Sequence, residues 1–127
     1  MRKVPIRYIL AALIIPLAWF FNRNNSSELT ENKSIINRID QLVYTKHGKC
    51  RMECRQITAD EIREIVLNGT VNHQKSNPAD KPCPTVAYEG ISTRDRQHIR
   101  VVLADCGDQL KVVTVIDLKQ DHSCDCR

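Results

Sequence analysis

Aromatic residues are scarce in this 127-residue sequence, and their distribution is uneven. Of three Tyr, two Phe and one Trp, only Tyr44 and Tyr88 lie beyond position 21. The sequence also lacks a glycine-rich phosphate-binding loop, and we expect no bound cofactor. After the N-terminal segment, its length leaves room for one domain of roughly 90 residues. The length excludes a large multidomain enzyme, and the scarcity of aromatic residues excludes a binding groove lined with aromatic rings.

The chain beyond its N-terminus also lacks a strong excess of positive charge. The net charge is +4, and Arg2, Lys3 and Arg7 supply three of these charges, which leaves +1 for the remainder. Proteins that bind nucleic acid usually carry a strongly basic domain. We therefore do not expect nucleic acid as the main partner, although a local basic patch would still allow it.

The three N-terminal basic residues precede an apolar run that extends from Tyr8 to Phe21. A basic start followed by a short hydrophobic stretch is typical of an export signal. The 18 residues from Val4 to Phe21 are just long enough to span a bilayer, and no small-x-small cleavage site follows them. We therefore expect residues 1–21 to be an uncleaved signal-anchor in the cytoplasmic membrane, with the N-terminus inside and the domain in the periplasm. The alternative is a cleaved signal peptide and a secreted domain.

A polar linker and one α+β domain follow the predicted anchor. Residues 22–33 have no apolar periodicity, which is typical of a linker, so the domain should comprise residues 34–127. The predicted helices cover residues 34–43, 45–55 and 58–68, the last beginning with a capping box. The predicted strands cover residues 71–74, 85–91, 97–105 and 110–118, of which the first is weak. We therefore expect two or three helices packed on an antiparallel sheet of three or four strands.

Hydrophobic patterning also predicts how the last three strands pair. A two-residue turn at Gly107-Asp108 makes one face of the final hairpin apolar. Its predicted pairs are Leu103–Val112, Val101–Thr114 and Ile99–Ile116. A turn centred on Arg94-Asp95 extends this apolar face to the preceding strand. Its predicted pairs are Val86–Leu103, Tyr88–Val101, Glu89–Arg100 and Cys83–Cys106.

All six cysteines lie beyond the hydrophobic run, and an even number in a small exported domain indicates disulfides. Cys50 and Cys54 are one helical turn apart, so their Cβ atoms should be about 5–6 Å apart. A disulfide requires about 3.5–4.5 Å, and each of the two therefore needs a partner elsewhere. The strand register pairs Cys83 with Cys106. Cys124 and Cys126 are then left for the helix pair, in either order.

A metal site is the alternative interpretation of these residues. The candidate ligands are His47, Cys50, Cys54, Cys124 and Cys126, with His122 close to the last two. Neither spacing is that of a standard structural zinc site, and an exported domain favours disulfides over thiolate ligands. We therefore expect no metal.

Three short motifs resemble those of a known family. They are Tyr44-Thr45-Lys46-His47-Gly48, Arg55-Gln56-Ile57-Thr58 and Asn68-Gly69, followed by closing strands. The arrangement resembles the bacterial domain-of-unknown-function family 4258 over residues 44–118, and most closely its cysteine-rich, membrane-anchored versions. Gly48 stands where the family pattern has Ala, and Gln56 where it has Gly. The resemblance implies an α+β fold similar to RelE-type toxins and small ribonucleases. It implies no activity, because the family has no agreed catalytic residues.

The predicted registers bring polar residues together on the sheet face opposite the apolar one. They are Glu89, His98, Arg100 and Asp117, with His98 directly opposite Asp117. A histidine oriented by a carboxylate and flanked by arginine could act as a general base and phosphate clamp in metal-independent RNA cleavage. We favour the simpler interpretation, an exposed face that carries ordinary cross-strand ion pairs.

The second predicted helix carries two further candidates, His47 and Arg55, which are the polar positions that match the family. His47 shares a face with Cys50 and Cys54, so we interpret it as a packed, hydrogen-bonded core residue. The basic residues of this helix are Lys46, Lys49, Arg51 and Arg55. We interpret them as a solvated helix face rather than a phosphate grip.

The sequence as a whole predicts a disulfide-stabilised domain that is tethered to the membrane and acts as a binding or interaction module. Its partner would be another protein of the cell envelope. The alternatives are a ribonuclease-like enzyme of the toxin type and a purely structural envelope protein. An anchored domain outside the cytoplasm meets little RNA, which argues against the enzyme.

Overall fold

A computed structural model of the chain describes residues 29–127. The predicted signal-anchor and most of the predicted linker lie outside these residues. Within residues 29–127, no helix is long and apolar enough to cross a membrane. Ile35–Arg127 form one compact unit.

The unit is an α+β domain with a mixed sheet. Its helices are α1 (residues 29–37, of which the last three belong to this unit), α2 (Lys46–Arg55) and α3 (Ala59–Asn68). Its strands are β1 (Leu42–Tyr44), β2 (Thr70–Val71), β3 (Thr85–Ile91), β4 (His98–Asp105) and β5 (Leu110–Asp117). The sheet order is β1-β5-β4-β3-β2, with β1 parallel to β5 and every other neighbour antiparallel. The α+β class is therefore as predicted, whereas the expectation of a wholly antiparallel sheet of three or four strands is wrong.

The fifth strand comes from a segment that was predicted to be helical. The α1 helix ends at residue 37, a 3-10 turn covers Ile39–Gln41, and β1 follows. Leu42 and Tyr44 are half-buried and Val43 is exposed, which is the alternation of a strand. Because β5 has a free edge there, pairing with β1 satisfies its backbone groups. The apolar spacing alone did not distinguish this strand from a last helical turn.

Helices α2 and α3 begin and end as the local sequence predicts. The Thr45 side chain caps α2 by accepting a hydrogen bond from the Gly48 N–H at 2.9 Å. Gln56 ends that helix in a left-handed conformation with φ 54°, the kind of position at which glycine is preferred. The predicted capping box of α3 is confirmed, with Thr58 N–H donating to Glu61 Oε2 at 2.8 Å.

The hydrophobic core fills the space between the helices and one face of the sheet. Helix α2 packs against β5, and α3 packs against β3 and β4. The buried side chains form one cluster that includes Ile57, Ile62, Ile65, Tyr88, Ile99, Val101, Leu103, Val112 and Val115. The β3–β4 hairpin supplies this face in the predicted register, pairing Val86 with Leu103 and Tyr88 with Val101.

The β4–β5 hairpin follows its predicted register only near the turn. The Cys106 N–H donates to the Gln109 carbonyl oxygen at 2.9 Å, and Leu103 is opposite Val112 as expected. A β-bulge then leaves Val113 without a partner on β4. Beyond it, Val101 is opposite Val115 and Ile99 is opposite Asp117, so the predicted pairs Val101–Thr114 and Ile99–Ile116 are wrong. One extra residue shifts the pairing by one and turns Val115 and Asp117 towards the helices.

Three disulfides involve all six cysteines. Cys83 is bonded to Cys106, as the strand register predicts. Cys50 is bonded to Cys126 and Cys54 to Cys124, which confirms the partition and supplies the order that the sequence left open. The Cα–Cα distances are 5.7, 5.8 and 5.0 Å for Cys50–Cys126, Cys54–Cys124 and Cys83–Cys106. The C-terminal tail is therefore bound covalently to two successive turns of α2.

Candidate functional site

The predicted catalytic residues do not form one cluster. Glu89, His98 and Arg100 share the sheet face opposite the helices, whereas the bulge places Asp117 on the helix side. Asp117 pairs with Ile99, and the expected arrangement of His98 opposite Asp117 is therefore wrong. The backbone N–H of Leu118, rather than Asp117, is bonded to the His98 carbonyl oxygen at 2.7 Å.

Glu89 and Arg100 form a cross-strand ion pair on the face away from the helices. Arg100 Nε lies 2.5 Å from Glu89 Oε1, and Asn72 Nδ2 donates to the same oxygen at 2.9 Å. Burial alone would raise the pKa of Glu89, but these two hydrogen bonds and the positive charges of Arg100 and His98 lower it below its usual value. A carboxylate held in this way supports the strand pairing, and it does not orient His98 as a general base.

Asp117 is a buried carboxylate with four hydrogen-bond partners. Its side chain is 3% exposed at the end of β5. Oδ1 accepts from the backbone N–H groups of Lys119 and Gln120 at 3.0 and 3.1 Å. Oδ2 accepts from Gln97 Nε2 at 3.3 Å and lies 3.0 Å from His122 Nε2. Burial alone would raise the pKa of Asp117, but the hydrogen bonds outweigh it and lower that pKa.

Helix α2 presents a row of basic residues, and the last of them, Arg55, is close to this carboxylate. His47, Arg51 and Arg55 are spaced by four, which places them on one side of the helix. Arg51 Nε donates to His47 Nε2 at 3.3 Å, and the Arg55 guanidinium donates to the Val115 carbonyl oxygen. His47 is exposed, so its expected role as a packed core residue is wrong. Burial, and then the charge of Arg51, lower the pKa of Arg55.

Two members of the Asp117 cluster, Gln97 and His122, were not expected from the sequence. Gln97 Nε2 also donates to the Arg55 carbonyl oxygen at 3.0 Å, which connects the end of α2 to β5. His122 lies two residues before Cys124, and Cys124 is bonded to the residue that precedes Arg55. That cysteine pairing was the one available signal that the tail brings His122 near Arg55.

A shallow groove lies on a different part of α2, at its junction with α3. It has a volume of about 580 Å³. Tyr44, Met52 and Ile57 supply apolar surface, and Lys49, Glu53 and Arg94 add charges of both signs. The Tyr44 hydroxyl is buried and has no hydrogen-bond partner among residues 29–127. Arg94 also pairs with the buried carboxylate of Glu61, with Nε 3.4 Å from Oε1.

The cysteines of the alternative metal site are held in disulfides and are not free thiolates. Across residues 29–127, no group of three or more His, Cys, Asp or Glu side chains converges as a metal site would require. Of the five proposed ligands, only His47 remains available.

One family of proteins matches more than half of the chain. A family model described as a domain of unknown function, DUF4258, matches residues 44–117. The matched segment begins at Tyr44 of the groove and ends at Asp117. No curated protein and no solved structure matches the chain.

Proposed function

Because the chain belongs to the DUF4258 family, which carries no assigned activity, we propose a function from its own surface: it is an extracytoplasmic binding module that captures an envelope protein in the groove beside α2. The groove carries this proposal, since it combines apolar surface with a rim of mixed charge. Such a composition suits an apolar side chain of a partner with polar neighbours around it.

A disulfide framework supports the groove and indicates where the protein works. Lys49, Met52 and Glu53 lie on the same two turns of α2 as Cys50 and Cys54. A surface that is fixed before binding loses less conformational entropy when a partner docks. Disulfides persist in oxidising compartments, so we place the domain outside the cytoplasm, held there by residues 1–21 as a membrane anchor.

Site-specific photocrosslinking of the full-length chain in cells of its native host tests the groove. Benzoylphenylalanine in place of Glu53 should give a discrete crosslinked protein, whereas the same group in place of the exposed turn residue Asp108 should not. Adding Met52→Asp should abolish the Glu53 adduct, because a charge in the apolar surface opposes docking, and Met52→Leu should preserve it. Equal adducts from both positions, or an adduct that survives Met52→Asp, would contradict the proposal.

Protease treatment of spheroplasts tests the location. The domain should be digested from outside while a cytoplasmic marker stays intact, and the chain should remain with the membrane fraction. A thiol-alkylating reagent should label the protein only after reduction. Protection from protease together with alkylation before reduction would contradict an extracytoplasmic location.

An RNA-cleavage assay separates the binding module from the ribonuclease alternative. The predicted histidine–carboxylate pair of that enzyme is not formed, because Asp117 lies on the other side of the sheet from His98. We expect the oxidised protein to leave single-stranded RNA intact. Cleavage that disappears in His98→Ala would overturn the proposed function in favour of the enzyme.

A further inference from the structure

The cluster around Asp117 has an unused histidine nitrogen. Asp117 is ionised at neutral pH, because its hydrogen bonds lower its pKa. An ionised carboxylate can only accept hydrogen bonds, so the proton in the 3.0 Å contact must belong to His122 Nε2. Nδ1 of the same ring makes no hydrogen bond to any residue in the range 29–127. Neutral His122 therefore offers an acceptor at Nδ1, and the protonated ring offers a donor there.

Two guanidinium groups of α2 lie on the same side of the domain. Arg55 is close enough to Asp117 and Asp121 for both charges to act on it, and Arg51 is one turn earlier. Burial and the repulsion from Arg51 outweigh these two carboxylates, and the pKa of Arg55 falls. An added anion would relieve this repulsion.

The tail is fixed against these arginines by covalent bonds. His122 precedes Cys124, which is bonded to Cys54, and Cys126 is bonded to Cys50. Arg51 and Arg55 each directly follow one of these two helix cysteines. The disulfides therefore hold the segment that carries His122 against the two turns of α2 that carry Arg51 and Arg55, which lowers the ordering cost when a ligand arrives.

We propose that Arg51, Arg55 and His122 form a binding site for a phosphate group, with Asp117 as the positioning residue of His122. A guanidinium matches two phosphate oxygens with two parallel N–H donors, and the protonated imidazole adds a third donor. This site is separate from the groove of Met52 and does not depend on the proposed capture of a protein. Its ligand class is a small phosphate-bearing molecule, for which inorganic phosphate is the simplest probe.

Nuclear magnetic resonance of the oxidised full-length chain in detergent micelles, with isotope-labelled histidine, tests the site. The four histidines include two internal controls, His73 and His98, whereas His47 is bonded to Arg51 and should respond together with the site. Inorganic phosphate, added against chloride at constant ionic strength, should shift the His122 ring signals to saturation at millimolar concentrations. Before phosphate is added, the nitrogen shifts of His122 should show the proton on Nε2.

Substitutions distinguish a specific phosphate-binding site from a general electrostatic attraction of anions. Arg51→Gln should weaken the phosphate response of His122 at least about tenfold, the effect expected when one charge-assisted pair is lost. The matched control Lys49→Gln removes the same charge from another side of the same helix and should leave the response unchanged. Asp117→Asn should change the protonation pattern of His122 as well as the response.

The proposal fails if phosphate leaves the His122 signals unshifted, or if it shifts the signals of His73 and His98 as strongly as those of His122 and without saturation. It also fails if Arg51→Gln and Lys49→Gln weaken the response equally, because the effect would then reflect net charge alone. Within residues 29–127, the Arg51 side chain hydrogen-bonds only to the exposed His47, so its replacement should leave the domain folded.

Discussion

The two hairpins of the sheet share strand β4 but differ in regularity. The β3–β4 pairing runs without interruption from Thr85–Ala104 to Ile91–His98. The β4–β5 pairing is interrupted by the bulge at Val113. Both hairpins have one apolar face towards the helices, yet hydrophobic alternation predicts every residue pair in the first and only the pairs near the turn in the second.

The difference shows how one extra residue can relocate a polar group. Without the bulge, Asp117 would face away from the helices and lie beside His98 and Arg100. With it, Asp117 faces α2, where Gln97, His122 and two backbone N–H groups satisfy it. The regular hairpin therefore carries a simple ion pair, Glu89–Arg100, whereas the bulged one carries a buried cluster that involves the tail.

The largest difference in stability should be that between a variant without the two tail disulfides and a variant without the Cys83–Cys106 disulfide of the regular hairpin. Replacing Cys50, Cys54, Cys124 and Cys126 by Ser opens loops with sequence separations of 76 and 70 residues, whereas Cys83→Ser with Cys106→Ser opens one of 23. Loop entropy predicts that the first variant loses at least about 4 kcal/mol of unfolding free energy and the second about 3 kcal/mol. Urea denaturation of the three proteins measures both. A tail variant that is more stable than the hairpin variant would show that the tail is only loosely attached.

Glycine-to-alanine substitutions should distinguish the close approach of α2 to the bulge from ordinary packing in the regular hairpin. A Cβ at Gly48 would lie 2.6 Å from the Val112 carbonyl oxygen, which is backbone and cannot easily move. Gly48→Ala should lower the unfolding free energy by about 1–2 kcal/mol, despite the better helix propensity of Ala. Gly90→Ala is the matched control, because its nearest atom is the end of the Ile65 side chain at 3.0 Å. Equal losses of unfolding free energy in the two variants would contradict a closer approach of α2 to the bulge.

Deletion of Val113 tests whether the bulge is a simple insertion. The remaining residues keep every observed β4–β5 pair, so the fold and the Asp117–His122 contact should survive. The cost should be about 1 kcal/mol, since Thr45 Oγ1 loses the Val113 carbonyl oxygen at 3.3 Å but keeps that of Val112 at 3.0 Å. Deletion of Val115 should cost more, because a regular register would bury Thr114 in its place. Thermal unfolding and amide spectra measure both, and an unfolded Val113 deletion would refute the interpretation.

Acid should weaken the stabilisation that Asp117 and Glu89 contribute to the folded state, and the loss should be larger for Asp117. The pKa values of Asp117 and Glu89 are lower in the folded state than in the unfolded chain. Their stabilisation is therefore complete above the unfolded values of about 4 and is lost as the pH falls through the folded values. Asp117→Asn and Glu89→Gln should each reduce the acid dependence of the unfolding free energy. We expect the larger reduction for Asp117, which has four hydrogen bonds, and the opposite order would contradict this.

Local patterns predicted most elements of the domain. The capping box of Thr58 and Glu61, the strand β3 and the register that joins Cys83 to Cys106 all depend on residues that are close in sequence or on strict alternation. The strand β1 escaped prediction because its apolar spacing also fits a helix, and only its pairing with β5 decides between them. The groove and the Asp117 cluster escaped because they combine residues from elements that are distant in sequence.

The sequence by itself determined the type of most elements, the regular hairpin, the pair Cys83–Cys106 and the assignment of the two helix cysteines to the two tail cysteines, because these follow from periods of 2 and 3.6 residues and from disulfide geometry. The tertiary structure alone decided the side of the sheet on which Asp117 lies and the order of the tail disulfides. The physical reason is that both depend on contacts between segments that are distant in sequence, among them the contact of Thr45 and Gly48 with the Val112 backbone beside the bulge. The bulge fits that contact, and no local pattern in the sequence signals it.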